Sequence, residues 1–247
     1  MRKLILSLAL TLLLAPAAWA GELIVSAAAS LTDTFNDLKP VYEKAHPGDT
    51  LTFNFAASGA LLAQMAQGAP VDVFASADQK TMDDAAAKNL VDPATRVTFA
   101  KNDLVIATPA GAPAVKSMEA LKDAKFKHVG IGNPDSVPAG RYAKAALEKA
   151  ALWDALSSKY VMAESVRQVL DYLARGEVDA GFVYATDAKK GGDKVAVTAI
   201  IPLDKPVTYP VAVTVTTKNK KSAQAFVDFL KSPEAQKILA ARGFAKP

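Results

Sequence analysis

The 247-residue chain contains no cysteine. That excludes disulfides, thiolate metal centres and cysteine nucleophiles together, and with them a lipid-modified N-terminal cysteine that would tether the chain to a membrane. Histidine is nearly as scarce: His46 and His128 are the only two. His46 ends a helical pattern before Pro47, and His128 enters a strand after a lysine-rich turn. Neither is placed to act as base for a serine nucleophile, which argues against a hydrolase. Beyond residue 20 no apolar run approaches the ~18 residues that a bilayer crossing needs, so no membrane insertion is expected. The lysines are scattered and no basic stripe interleaves with the aromatics, which argues against nucleic acid as a partner.

What the chain does have is a basic, apolar beginning and an alternating body. Arg2-Lys3, the run Leu4 to Leu14 and the small-x-small site Ala18-Trp19-Ala20 read as a cleavable secretory signal over residues 1–20. Cleavage before Gly21 would leave the protein free in the periplasm, and losing Arg2 and Lys3 lowers the formal net charge from +4 to +2. An apolar fraction of 51% with 22% charged residues can bury a core. From Glu22 to about Lys88 short apolar strands (Leu23–Val25, Leu51–Phe55, Val71–Ala75) alternate with helices (Leu31–Ala45, Gly59–Gln67, Gln79–Lys88). A second α/β series runs from Leu104 to Ile201. It includes the strands Val129–Gly132, Tyr160–Met162 and Ala180–Tyr184, and a helix capped by Ser165. A strand at Tyr209–Thr216 and helices at Lys220–Leu230 and Pro233–Arg242 close the chain. The pattern predicts an α/β protein with two lobes, each a mainly parallel sheet flanked by helices. Residues 21–101 and 211–247 would form the first lobe and 102–210 the second, with hinge crossings near Lys101–Asn102 and Thr208–Pro210.

The stretch Thr52 to Gln67 carries the chemistry. A strand ending in Phe55 passes through Ala56-Ala57 to Ser58-Gly59 and directly into a helix, with Ser58 at the expected N-cap. Free N–H groups and the positive end of the helix dipole collect there, which suits an anion. Ala27-Ala28-Ala29-Ser30 repeats the junction, and both serines fall at the carboxyl ends of strands, where ligands of such sheets bind. The Gly130-x-Gly132 pair is no dinucleotide fingerprint, because Asp135 stands where the third glycine belongs. Asp72 and Asp78 read as caps of a helix or a turn.

Six motifs give the chain a family likeness: AAASLTDTF at 27–35, ASGALLAQ at 57–64, VDVFASADQKTMD at 71–83, GNPDSVPAGRYA at 132–143, ESVRQVL at 164–170 and GFVYATDA at 181–188. Over nearly its whole length the chain resembles the periplasmic molybdate-binding proteins of ATP-driven uptake transporters. The ending FVDFLKSPEAQKILAARGF is shared more widely, with sulfate- and iron-binding relatives. The resemblance implies a monomer without cofactor that binds molybdate or tungstate and delivers it to a membrane permease. It implies that Ser30, Ser58, Ala139, Val166 and Tyr184 hold the oxyanion through hydroxyl and amide donors, with no bare metal cation bound. Each of these positions is a helix start or, for Tyr184, a strand end, and counting hydroxyl and amide for each serine gives about seven donors. Arg141 departs from the family pattern and is expected on the surface. Sulfate remains the alternative ligand, since its site uses the same donors. Ferric iron would call for clustered tyrosines or carboxylates, and only Tyr184 is at the cleft.

Overall fold

A computed structural model describes residues 21–247; the segment read as a secretory signal, residues 1–20, lies outside them. The first series is β1 (Gly21–Ala28), α1 (Thr32–Ala45), β2 (Asp49–Ala56), α2 (Ser58–Ala66), β3 (Val73–Ala75), α3 (Gln79–Ala87) and β4 (Val97–Asn102). The second is β5 (Leu104–Pro109), β6 (Val129–Gly132), α4 (Pro138–Lys149), β7 (Tyr160–Ala163), α5 (Val166–Arg175), β8 (Ala180–Tyr184), α6 (Ala185–Gly191) and β9 (Val195–Ile200). The chain ends with β10 (Val207–Val213), α7 (Lys220–Phe229) and α8 (Pro233–Arg242).

These elements build two five-stranded sheets, ordered β2-β1-β3-β10-β4 and β7-β6-β8-β5-β9. In each, three neighbouring strands run parallel and the fourth, β10 or β5, runs antiparallel to both its neighbours. The expected two-lobed α/β architecture is therefore present, with one reversed strand per sheet. The register decides where the ligand end falls. Ala28 at the end of β1 lies beside Ala56 at the end of β2, so the two Ala-Ser junctions emerge side by side. In the other sheet Gly132 lies beside Ala163, which brings the starts of α4 and α5 together in the same way.

Local chemistry explains the boundaries. Ser165 caps α5 by accepting from the Gln168 amide at 3.2 Å, and Gly176 ends the helix in the left-handed region with φ 69°. Val166, Val169, Leu170 and Leu173 form its buried stripe. In the first lobe an aromatic cluster sets the core: Phe35 lies 5.8 Å from Phe226 and 6.0 Å from Phe99, centroid to centroid. Among the described residues no helix is long and apolar enough to cross a membrane.

Three elements lie where the sequence offers no clear signal: β4, β9 and α6. The edge strands β4 and β9 are only partly covered, so their apolar residues do not alternate cleanly. The return crossing also differs from expectation. Val207 already pairs with Asn102 in the first sheet, so residues 207–210 belong to the first lobe and the chain crosses back between Ile200 and Val207. Two strands paired across the hinge bury Val207 and Tyr209 completely, which a crossing at Thr208–Pro210 would leave in the open.

Candidate oxyanion site

Between the sheets lies a small cavity lined by Ala28, Ala29, Ser30, Ala57, Ser58 and Ala77 from the first lobe and Val137, Pro138, Ala139, Val166 and Tyr184 from the second. All five residues expected to hold the ligand thus meet at one place, and every lining residue is buried. At about 10 Å³ the space is on the scale of a single water molecule, too small for an organic solute.

Each junction supplies donors in its own way. Ser30 sits in a single 3₁₀ turn, Ala29–Leu31, between β1 and α1. Its Oγ lies 3.0 Å from the Tyr209 hydroxyl. Ser58 is the first residue of α2, and Ala57, with φ −61° and ψ 143°, takes the N-cap without a side-chain bond. This corrects the expected cap. The Ser58 Oγ instead accepts from the amide of Ala77, two residues past β3, at 3.0 Å, which leaves its own proton free to donate. Ala139 is the second residue of α4 and Val166 the first of α5, so neither amide has an acceptor within its helix. Pro138 at the first position of α4 has no N–H to satisfy and presets the helical φ.

Tyr184 ends β8 with 1% exposure. Its hydroxyl and Thr108 Oγ1 are the buried side-chain polar atoms without a hydrogen-bond partner among the described residues. Such groups are rare because each costs desolvation with no return. Burial, with the nearby Tyr209 adding to it, pushes the Tyr184 phenol well above its ordinary value, so it stays a neutral donor.

No lysine or arginine lines the cavity, but two arginines clasp the lobes beside it. Arg167, next to Val166, donates to Asp187 at 2.6 Å, to Asp33 at 2.5 Å and to the Ser30 carbonyl at 3.2 Å. Lys190 reaches the other Asp33 oxygen at 2.9 Å. Burial works against the Asp33 carboxylate, yet the bonds from Lys190 and Arg167 hold its pKa below the usual range. On the opposite side Arg141 donates to Asp78 at 2.8 Å and to Thr81 at 2.6 Å. Arg141 is therefore no surface residue: its side chain is 20% exposed, and it bridges the lobes without entering the cavity. The buried Asp78 carboxylate draws it across. Asp78 also caps α3 as expected, accepting from the Thr81 amide at 3.1 Å. Asp72 ties the Ile24 amide to Thr217 rather than capping an element.

Backbone touches backbone at a third point, where the Gly59 amide donates to the Ser136 carbonyl at 2.9 Å. A Cβ on Gly59 would stand 2.5 Å from that oxygen, so only glycine permits the approach. Tyr209, directly behind Ser30, and Asn102, behind Tyr209, carry no sequence signal; nothing but the pairing of β4 with β10 brings them there. The described residues contain no group of three or more His, Cys, Asp or Glu arranged to hold a metal.

Known proteins share this framework. The family model described as bacterial extracellular solute-binding protein matches residues 23–245. The chain is 41% identical over 236 residues to molybdate-binding protein ModA of Escherichia coli (strain K12), covering 91% of this chain and 89% of that one. It is 36% identical over 232 residues to molybdate-binding protein ModA of Haemophilus influenzae, covering 91% and 90%. The solved structure of the Azotobacter vinelandii periplasmic molybdate-binding protein superposes with a TM-score of 0.80 at 27% identity, covering 91% of this chain and 99% of that one. With a match of this length and relatives of this identity, the chain belongs to the bacterial extracellular solute-binding protein family.

Proposed function

We propose that the protein binds molybdate, and tungstate alike, in the interlobe cavity and delivers it to the membrane permease of an ATP-driven uptake transporter. The observation that carries this reading is a buried cavity whose lining holds no charged side chain and includes Tyr184, whose buried hydroxyl has no partner among the described residues. Relatives named as molybdate-binding proteins support the choice of anion. Ser30, Ser58 and Tyr184 donate hydroxyl protons, while Ala139 and Val166 donate backbone amides. Hydrogen bonds to a charged partner contribute roughly 1.5–3 kcal/mol each, and several together offset the cost of taking a dianion out of water. Molybdenum arrives already dressed in oxygen, so no metal ligand is required. The protein acts as a binding protein and not an enzyme, exported by its signal to the periplasm and working as a monomer.

Selectivity follows from the donors. Phosphate keeps a proton near neutral pH that needs an acceptor. Sulfate is fully ionised but smaller, and donors fixed on two closed lobes leave some of its bonds long. Losing about two bonds of ~1.5–3 kcal/mol is a factor of more than a hundred. Calorimetric titration of refolded, anion-stripped protein should show molybdate and tungstate binding alike, sulfate at least about a hundredfold more weakly, and phosphate not measurably. Sulfate displacing molybdate at equal concentration would overturn the assignment in favour of a sulfate-binding protein.

A further inference from the structure

We propose that Tyr209, held by Asn102, fixes the Ser30 hydroxyl as an obligate donor and so makes the site read the absence of a proton on its anion. The proposal rests on the oxyanion reading of the cavity. Neither residue lines that cavity, so both are positioning residues.

The direction of each bond can be assigned. Asn102 Oδ1 accepts from the Asp103 amide at 2.9 Å, which identifies the other end of the side chain as its NH₂ group. That group donates to Thr186 Oγ1 at 2.8 Å and to the Tyr209 oxygen at 3.3 Å. Tyr209 is fully buried, and burial, with the charge of Asp187 adding to it, pushes its phenol far up. It therefore always carries a proton, and a buried proton needs an acceptor. With Asn102 donating to it, its remaining partner among the described residues is Ser30 Oγ at 3.0 Å. Donation thus runs from Asn102 to Tyr209 to Ser30. The Ser30 oxygen gives one of its two lone pairs to Tyr209, so its own proton cannot point there and is left for the cavity. Ser58 is held in the same sense by the Ala77 amide. A hydrogen phosphate presenting its proton to either serine meets a group already accepting elsewhere.

The two crossings of the chain meet in this relay, since Asn102 ends β4 at the outward crossing and Tyr209 lies in β10 just after the return. The donor direction is thereby fixed by the hinge strands rather than by either cavity wall.

The test compares the parent protein with Tyr209→Phe by competition titration against molybdate, sulfate and inorganic phosphate. Sulfate and phosphate are tetrahedral anions of similar size, and only phosphate keeps a proton near neutral pH, so their ratio separates proton reading from a change in cavity size. Freed from Tyr209, Ser30 can turn its lone pairs to the ligand. Molybdate and sulfate are expected to weaken together while phosphate, not measurable as a competitor in the parent, becomes measurable, raising the phosphate-to-sulfate preference by at least about tenfold. Phosphate still not measurable, or an unchanged preference, overturns the proposal. Asn102→Ala provides the second variant should Tyr209→Phe fail to fold. It frees the Tyr209 oxygen to accept from Ser30, which would turn the Ser30 proton away from the cavity and shift the preference the same way; an unchanged preference there overturns the relay as well. A parent that binds none of the three anions overturns the oxyanion reading itself. One that binds molybdate, with an unchanged preference in the variants, overturns the relay alone.

Discussion

Removing the hydroxyl of Tyr184 and removing that of Ser58 are expected to move stability in different directions. In Tyr184→Phe the lost group is buried and unpartnered, so anion-free stability should hold or rise, while binding falls by roughly 1.5–3 kcal/mol. In Ser58→Ala the lost oxygen is the acceptor of the buried Ala77 amide, so stability should fall by about 1 kcal/mol and binding by ~1.5–3 kcal/mol. Denaturant unfolding without anion and calorimetry with molybdate would read both numbers. A stability loss in Tyr184→Phe with binding intact would mean its hydroxyl serves the fold. At this scale the sequence showed where the serines would be and not what they would touch. The doubled Ala-Ala-Ser junction is a local signal, whereas the partner of Ser58 is 19 residues away and that of Ser30 is 179 away.

Elements with a buried stripe and a cap were legible, because both signals lie within a few residues of each other. Helix α5, with Ser165 in front and Gly176 behind, was readable end to end. Helix α6 was not: it starts directly at Tyr184 without a break, and its sequence ATDAKKG has no apolar period. The start of α2 supplies the test at this scale. Gly59 lies in its first turn and faces Ser136 of the other lobe. Gly59→Ala should hold or lower anion-free stability, since the gain of up to about 1 kcal/mol in helix preference is offset by the clash with the Ser136 backbone. The added carbon would hold the lobes apart, and molybdate should bind at least about tenfold more weakly. Unchanged affinity would show that the lobes need not approach so closely.

For the whole molecule, the clasp around Asp33 makes the joined lobes sensitive to acid. Its pKa is lowered in the folded protein, since the bonds from Lys190 and Arg167 outweigh the effect of burial. A depressed carboxylate contributes stability that is fully present above its unfolded value of about 3.9 and is lost as pH falls through the folded value. The gap in unfolding temperature between the parent and Asp33→Asn should therefore be constant near neutrality and close on acidification below about pH 4. A gap that persists at low pH would assign the stabilisation to packing. The two-lobed plan was legible from alternation alone. The return crossing was misplaced because Tyr209–Thr216 alternates like any strand, and only its pairing with β4 shows that the strand starts at Val207.

The place of β10 has a consequence for the order of assembly. All five strands of the second sheet lie between Leu104 and Ile200, one unbroken length of chain. The first sheet has a gap between β3 and β4 that only Val207–Val213 fills. A chain emerging from its amino end can finish the second sheet while the first still lacks a central strand. The sheet that begins first in sequence is thus completed last, and until β10 arrives β3 and β4 expose unpaired edges to any neighbouring chain.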